Sequence, residues 1–245
     1  HALLAFPEGE QGMNVARLIA LLARLPITAA GTTVNRFCGS SMQAIHMAAG
    51  AIQLDAGEVF VCAGVESMTR VQIGGFNFLP NPRLVEEYPQ AYMSMGETAE
   101  NVAKQYQITR DDQEEFAVRS HAKAAAAQAS GRFDDEIVPI RRNGEAIEKD
   151  GCIRPDTTKE ALAGLKLAFD EHGTVTAGTS SPLTDGAAAV LVCTEDYAAK
   201  YGLDVLARIK SVAVAGCEAS IMGIGPVAAT KKALARAGLE IDDIE

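Results

Sequence analysis

Cys38 is the residue of this chain whose position most favours covalent chemistry. It stands where an extended segment, residues 32–34, is predicted to turn into a helix with an apolar stripe at Met42, Ile45, Ala49 and Ile52. A thiol in the first turn of a helix faces unpaired backbone N–H groups and the positive end of the helix dipole, and both favour the nucleophilic thiolate. The alternative interpretation is that Cys38 is a buried small hydrophobe, which is the commoner state of a free cysteine.

A catalytic cysteine usually needs a base that removes its proton. The chain has four histidines. His46 lies eight residues further along the same predicted helix, a distance of about 12 Å at 1.5 Å per residue, which is too far for a hydrogen bond. His121 and His172 are distant in sequence, and no neighbouring motif marks either as a partner. We therefore expect the base of a catalytic Cys38 to lie outside these residues.

The composition limits the class of protein. The 245 residues are 48% hydrophobic, which is enough for a sizeable core in one or two domains. The net charge of -10, without a basic cluster, argues against nucleic acid or an anionic membrane as the main partner. No uncharged apolar run reaches the length of a membrane span, and no signal peptide is visible. The first and last residues predict an internal piece of a longer polypeptide.

The cysteines predict neither a metal site nor a disulfide framework. There are five of them, they form no CxxC pair, and their spacing is not that of a zinc site. An odd, scattered number fits a reducing compartment. Cys62 and Cys193 lie in apolar strand-like runs and are predicted to be core residues.

The first third of the chain predicts a strand–helix–strand unit. Residues 13–25 carry apolar side chains at helical spacing, namely Val15, Leu18, Ile19, Leu22 and Leu25. Residues 58–63 form a short apolar run of the kind that is buried in a parallel sheet. With the strand at 32–34 and the Cys38 helix, this run makes a βαβ unit. Cys38 then falls at the carboxyl end of a strand, where open α/β sheets hold their ligands.

The remaining elements are predicted as a long excursion and a return to the sheet. Residues 69–95 are rich in Gly, Pro, Asn and Tyr and have no clean period. A helix over 97–106 follows, and then one over 110–129 that Thr109 and Asp112 open like a capping box. The sheet is predicted to resume near Thr174. The other predicted elements are strands at 137–140, 187–193 and 206–215, and helices at 196–201 and 225–237.

Motifs in a fixed order along the chain resemble those of the thiolase family. Val34-Asn35-Arg36-x-Cys38-x-Ser40 is similar to the family's nucleophile signature, and Ala63-Gly64-x-Glu66-Ser67-Met68 is similar to the strand end that follows it. The later motifs are Met95-Gly96-x-Thr98-Ala99-Glu100, Arg119-Ser120-His121, Arg154-Pro155-Asp156-Thr157-Thr158, the stretch 173–190, and Met222-Gly223-x-Gly225-Pro226. The similarity covers essentially the whole chain.

The resemblance implies an α/β thiolase fold, in which two similar βαβαβαββ halves pack as α-β-α-β-α layers, and an incomplete chain. Residues 1–68 and 173–204 would form the N-terminal half that carries the nucleophile, with its first strand missing. Residues 69–172 would form an inserted loop subdomain that binds coenzyme A. Residues 205–245 would begin the C-terminal half.

The resemblance also implies a reaction and a set of site residues. Thiolases make or break a carbon–carbon bond between acyl-CoA thioesters. Cys38 would attack a 3-ketoacyl-CoA, and its backbone N–H would be one donor of the oxyanion hole. The coenzyme A groove would be lined by Met95, Arg154, Phe169, Ala177 and Ser181. Coenzyme A is a substrate, and no cofactor or metal is expected. Without the resemblance, core packing would explain Phe169, and a solvated loop charge would explain Arg154.

The sequence departs from the family in ways that bear on activity and subtype. The family's C-terminal Asn-Glu-Ala-Phe, Gly-His-Pro and Cys-x-Gly motifs, which bring the base and a second, acid/base cysteine, lie beyond the part of the family pattern that this chain matches, so we expect this chain not to turn over alone. Ser41 stands where many members have glycine, and Ser94 stands where biosynthetic acetoacetyl-CoA thiolases tend to have histidine. Both favour a degradative 3-ketoacyl-CoA thiolase of fatty-acid β-oxidation.

Three alternatives remain at this point. They are a biosynthetic acetoacetyl-CoA thiolase, a non-catalytic thiolase-like lipid-binding protein, and a ketosynthase, which should lack the long insertion. The implied partners are acyl-CoA and coenzyme A, a second copy in a homodimer or homotetramer, and a hydratase/dehydrogenase subunit. The implied location is the cytoplasm of a bacterium, or the mitochondrion or peroxisome of a eukaryote.

Overall fold

The computed structural model describes residues 2–5, for the backbone only, and residues 12–244. In chain order its elements are β1 (Ala2–Ala5), α1 (Val15–Leu22), β2 (Gly31–Val34), α2 (Ser40–Gln53), β3 (Val59–Glu66), α3 (Pro82–Glu87), α4 (Met95–Tyr106), α5 (Arg110–Ala129), β4 (Ile140–Arg142), β5 (Glu145–Ile147), α6 (Lys159–Ala163), β6 (Gly186–Cys193), α7 (Glu195–Tyr201) and α8 (Gly225–Ala237). Short 3-10 turns lie at Phe37–Gly39, Pro89–Tyr92, Ala177–Thr179, Ala219–Ile224 and Ile241–Asp243. Within these described ranges, no helix is both long and apolar enough to cross a membrane.

The chain divides into two compact units. The first comprises His1–Pro80, Leu183–Val214 and Ala229–Glu245, and the second comprises Asn81–Pro182 and Ala215–Ala228. Cys38 belongs to the first unit. All five residues expected to line the coenzyme A groove belong to the second, including Ala177 and Ser181, which we had assigned to the nucleophile-bearing half.

The first unit is built on a four-stranded sheet with the order β2-β1-β3-β6. β1 is parallel to both β2 and β3, whereas β6 is antiparallel to β3 and pairs Val190 with Cys62. The predicted strands at 32–34, 58–63 and 187–193 are thereby confirmed. The sequence analysis predicted no strand at residues 2–5, and the expectation that the family's opening strand is absent stays a prediction.

Helices α1 and α2 pack on opposite faces of β3. Because side chains alternate along a strand, Phe60 and Cys62 point to one face and meet Ala44 and Ala48 of α2. Ala63 and Val65 pack with Ala16 of α1. This arrangement is a layered α/β unit, as the sequence predicted.

The face that each helix buries agrees only in part with the predicted one, since Val15, Ile45 and Ile52 pack against the core as partly buried side chains. In α1 the buried residues are Ala16 and Ala20, while Leu18 and Leu22 are exposed. In α2, Ala44 and Ala48 are buried, whereas Met42 is exposed. The helical period was correct, and small residues occupy the most buried positions because they let a helix approach the sheet closely.

The second unit contains α4 and α5, both predicted. Thr109 and Asp112 form a capping box at the start of α5, as expected, and Ser94 and Glu97 form another at the start of α4. The predicted strand at 137–140 is wrong in position. β4 and β5 instead form a hairpin around Asn143 and Gly144, which both have positive φ. An Asn-Gly pair is a strong sequence signal for this turn, because both positions tolerate positive φ.

Two further predictions about strands are wrong. The sheet resumes at β6 and not near Thr174, because residues 174–181 lie in the second unit and form a short turn. Residues 206–215 alternate in polarity but form no strand in the described chain. Their polar contacts are with helices instead, namely with α7 through the ion pair between Arg208 and Glu195 and with α8. Ser211 donates a hydrogen bond to the Ala233 carbonyl (2.7 Å), and Arg236 donates one to the Val212 carbonyl (2.5 Å). The alternating pattern had no neighbouring strand to pair with.

Candidate active site

Cys38 lies in a tight connection between β2 and α2. Four residues separate Val34, the end of β2, from the 3-10 turn's Gly39. Phe37, directly before the cysteine, has a φ of 45°, a left-handed conformation that is costly for an aromatic residue. The Asn35 side-chain oxygen accepts a hydrogen bond from the Phe37 N–H (2.8 Å). A strained residue held in this way beside a nucleophile is typical of sites where the structure fixes the direction of a side chain.

Ser40 stabilises the same turn through the hydrogen bonds of its side chain. Its side chain is 2% exposed, its Oγ accepts a hydrogen bond from the Arg36 N–H (2.7 Å), and its hydroxyl donates one to the Phe37 carbonyl (2.6 Å). The hydroxyl therefore ties Arg36 and the strained Phe37 to the start of α2. The sequence analysis names Ser40 only as a member of the nucleophile signature, and this role was not predicted.

The Cys38 side chain is exposed, whereas Cys62 is buried. The interpretation of Cys38 as a buried small hydrophobe is therefore wrong, and the same interpretation is correct for Cys62. Burial raises the pKa of the Cys62 thiol to about 11, and this thiol donates a weak hydrogen bond to the Ala44 carbonyl (3.6 Å). Cys193, the other predicted core cysteine, is half-buried.

His46 is the histidine on the Cys38 helix. Burial, and secondarily the positive charge of Arg36, lower the pKa of His46, which favours its neutral imidazole. In the part of the chain that the structure describes, no group of three or more His, Cys, Asp or Glu side chains is arranged to hold a metal ion. The chemistry available at this turn is that of a thiol and backbone amides.

The second unit brings Met95 and Phe169 close together. Met95 is the first residue of α4, and the Phe169 ring packs so tightly on Gly96 that no Cβ fits there. Both side chains remain about half exposed, at 54% and 47%. Plain core packing therefore does not explain Phe169, since half of its ring faces solvent.

Ala177 and Ser181 lie in and just after a turn built on Thr176. This threonine is fully buried, and its backbone N–H donates a hydrogen bond to Thr179 Oγ1 (3.1 Å). Its Oγ1 accepts one from the Gly178 N–H (3.2 Å), and its carbonyl accepts one from the Ser180 hydroxyl (2.8 Å). Ala177 and Ser181 are exposed on this rigid turn.

Arg154 stands on a separate loop of the same unit. Its side chain is exposed, and its backbone N–H donates a hydrogen bond to Nδ1 of His121 on α5 (3.2 Å). The Arg119-Ser120-His121 and Arg154-Pro155-Asp156 motifs are thus connected, a link that their separation in sequence concealed.

A cavity of about 550 Å³ lies beside α4 in the second unit. Its lining consists of Met93, Asn101, Phe169 and the four acidic residues Glu97, Glu100, Asp170 and Glu171. Four carboxylates repel phosphate groups, so this cavity does not suit the nucleotide end of coenzyme A. Its apolar side, at Met93 and Phe169, suits an uncharged chain.

The comparison with known proteins agrees with this geometry. The description of the thiolase N-terminal domain matches residues 6–196, and that of the thiolase C-terminal domain matches residues 203–245. The 3-ketoacyl-CoA thiolases of Marinobacter nauticus and Shewanella frigidimarina are 52% and 53% identical, over 96% of this chain and 62% of their own length. The acetyl-CoA acetyltransferase structure from Bacillus anthracis superposes with a TM-score of 0.85 and 42% identity, over 99% of this chain and 66% of that one.

These matches confirm the resemblance and the fold class that the motifs implied. The chain spans less than two thirds of the length of these relatives. The exposed cysteine at a strand-to-helix turn, the fold and the matched domains lead to one conclusion: the chain belongs to the thiolase family.

Proposed function

We propose that the protein to which this chain belongs is a degradative 3-ketoacyl-CoA thiolase. It cleaves a 3-ketoacyl-CoA with coenzyme A to give acetyl-CoA and an acyl-CoA shortened by two carbons. The observation that carries this proposal is the exposed Cys38 on its constrained turn, in a chain whose relatives bear that name. Ser41 and Ser94 favour the degradative over the biosynthetic direction.

In this mechanism the Cys38 thiolate forms a bond to C3 of the substrate. The C2–C3 bond breaks, its electron pair stays on C2, and a proton from the family's acid/base residues completes acetyl-CoA. The acyl group is left as a thioester on Cys38. The thiolate of a second coenzyme A then attacks that thioester, and the Cys38 sulfur leaves with its electron pair. The Cys38 backbone N–H is proposed as one donor to the oxyanion, because first-turn amides have no acceptor within their helix.

The second unit is proposed to hold coenzyme A. Met95, Phe169, Ala177 and Ser181 are exposed, and their backbone is held by the helix start or by the Thr176 turn. The apolar and small side chains suit the pantetheine arm. Arg154, exposed on its loop, is proposed to face the phosphates, for which a guanidinium is well suited. No cofactor or metal takes part in the proposed reaction.

The test is the covalent intermediate. The complete protein, incubated with octanoyl-CoA and no free coenzyme A, should gain an octanoyl mass on the peptide that contains Cys38, with release of one coenzyme A. Cys38→Ala should abolish the adduct, while Cys62→Ala should keep it, because Cys62 is buried. An adduct on another residue, or none, would contradict the proposal and favour a lipid-binding role.

A biosynthetic acetoacetyl-CoA thiolase is the second candidate. The 42% identity to the Bacillus anthracis acetyl-CoA acetyltransferase favours it. The ratio of kcat/KM for 3-ketooctanoyl-CoA to that for acetoacetyl-CoA distinguishes the two. We expect the ratio to exceed about 10 for the degradative enzyme, since each buried methylene contributes roughly 10-fold or more. A ratio below 1 would support the biosynthetic one.

Partners and location are part of the same proposal. We propose a homodimer or homotetramer, associated with a hydratase/dehydrogenase subunit, in the cytoplasm of a bacterium. The bacterial origin of the similar thiolases supports the last point. Light scattering of the complete protein, alone and co-expressed with that subunit, measures both associations, and a monomer would contradict them.

A further inference from the structure

Glu100 is a member of the Met95-Gly96-x-Thr98-Ala99-Glu100 motif with no role in the reaction described so far. It lies on α4, and its half-buried carboxylate reaches the backbone of residues 174–175. The Thr174 N–H donates to both carboxylate oxygens (2.9 and 2.8 Å), the Thr174 hydroxyl donates to Oε2 (3.1 Å), and the Val175 N–H donates to Oε1 (2.7 Å). Hydrogen bonds from amides to a carboxylate are short and strong, so this contact fixes two successive peptide units.

The surroundings of Glu100 are shaped for this contact. A Cβ at Gly173 would collide with the carboxylate, so a side chain before Thr174 would displace Glu100 from this contact. Gln113 of α5 donates a hydrogen bond to Thr174 Oγ1 (2.8 Å), which holds the hydroxyl from the opposite side. Val175 is buried. Two helices thus clamp one short segment.

The clamp determines where the proposed coenzyme A residues lie. On one side, Thr176 begins the rigid turn that carries Ala177 and ends just before Ser181. On the other, the Ala168 N–H donates a hydrogen bond to the Val175 carbonyl (3.0 Å), which holds the residue next to Phe169. A shift of the segment 174–175 would therefore move Phe169 and Ala177 together.

We propose that Glu100 is a positioning residue for coenzyme A binding. It acts through the backbone of residues 174–175. By fixing this backbone, it keeps the segments that carry Phe169 and Ala177 in position to line the pantetheine arm. This inference rests on the proposed function, because that function supplies coenzyme A as the ligand. Thiol acylation at Cys38 tests that function separately.

The first experiment separates KM from kcat in the complete protein. Glu100→Gln keeps the shape of the side chain but turns an NH2 donor toward N–H donors. We expect the KM for coenzyme A to rise about tenfold or more. The kcat, normalised to the fraction of protein that can be acylated at Cys38, should change by less than about threefold. Glu115→Gln, the same chemical change at an exposed position of α5, is the matched control and should leave both constants unchanged within about twofold.

A role in stability alone would give a different result. In that case Glu100→Gln would lower the thermal midpoint and the fraction of acylatable protein, with the KM for coenzyme A unchanged, and the proposal would be overturned. A KM effect of equal size in Glu115→Gln would also overturn it.

Hydrogen exchange tests the clamp independently of the reaction. The Thr174 and Val175 amides should be protected in the unliganded wild type and exchange at least about tenfold faster in Glu100→Gln. Equal exchange would overturn the proposal, even if Cys38 is acylated normally.

Thr174→Val is the second variant, in case Glu100→Gln does not fold. It keeps both backbone amides and removes only the hydroxyl that Glu100 and Gln113 share. We expect a smaller rise in the KM for coenzyme A, of about two- to fivefold. No rise in a folded Thr174→Val protein would count against the clamp.

Discussion

Cys38 and Cys62 belong to the same strand–helix–strand unit and have opposite environments. Cys38 stands on the connection before α2, beside a residue with positive φ, and its side chain is exposed. Cys62 lies inside β3, under α2, with 2% of its surface exposed. By residue type alone, the two thiols cannot be distinguished. The difference shows that the reactivity of a thiol depends on whether its residue lies in a loop between two elements or inside a strand of the sheet.

The largest effect that we expect is a difference in the alkylation rates of Cys38 and Cys62. At pH 8 a thiol with a pKa of about 11 is about 0.1% ionised, and only the thiolate is alkylated. We expect iodoacetamide to label Cys38 at least about 10³-fold faster than Cys62 in the folded protein. Peptide mapping at timed intervals measures the two rates and separates them from the other cysteines. Comparable labelling rates would contradict the difference in burial between Cys38 and Cys62.

The pH dependence of stability sharpens the same comparison. Burial raises the pKa of the Cys62 thiol from 9.0 to about 11, so the unfolded chain ionises first as the pH rises. The stabilisation from this thiol is complete below pH 9 and is lost as the pH rises to 11, a loss of about 2–3 kcal/mol at 1.36 kcal/mol per pKa unit. Urea unfolding of the wild type and of Cys62→Ala at pH 8, 9, 10 and 11 gives the difference. Parallel curves would contradict the burial of an ionisable group here.

The stability of the turn before α2 should depend on Ser40 and not on the adjacent Ser41. Ser40→Ala leaves the Arg36 N–H and the Phe37 carbonyl without their shared partner. We expect a loss of about 1–3 kcal/mol in the free energy of unfolding, and slower acylation of Cys38 because one of the hydrogen bonds that hold Phe37 is lost. Ser41→Ala, at an exposed position, is the control and should change stability by less than about 0.5 kcal/mol. Equal effects of the two variants would show that the hydroxyl of Ser40 is not what fixes the turn.

The smallest effect is expected at His46. Burial and the charge of Arg36 lower its pKa, so its neutral form is favoured in the fold. The stabilisation is present above the pKa of the unfolded chain and decreases as the pH falls below it. NMR titration of Arg36→Gln should give a His46 pKa higher than in the wild type but still below its ordinary value, because burial is the larger cause. No upward change would exclude the electrostatic contribution.

Local sequence signals predicted most helices and their beginnings. Thr109 and Asp112 marked the start of α5. Such signals succeed because caps depend on residues a few positions apart. The same kind of signal at Asn143 and Gly144 was available and was not used.

Predictions failed where an element depends on a distant partner. Residues 206–215 have an alternating pattern, but a strand needs another strand beside it, and the described chain supplies α8 instead. The most buried positions of α1 and α2 were also not predicted, since the contact distance to β3 selects Ala16 and Ala44 over larger side chains.

The sequence by itself determined the family, the α/β class and the identity of Cys38 as the nucleophile candidate, because ordered motifs and helix periods are properties of neighbouring residues. Only the tertiary structure decided which cysteine is exposed and which is buried. It also joined Glu100 to Thr174, and His121 to Arg154, across 74 and 33 positions of the chain. Hydrogen bonds and burial depend on distance in space, which the order of residues does not give.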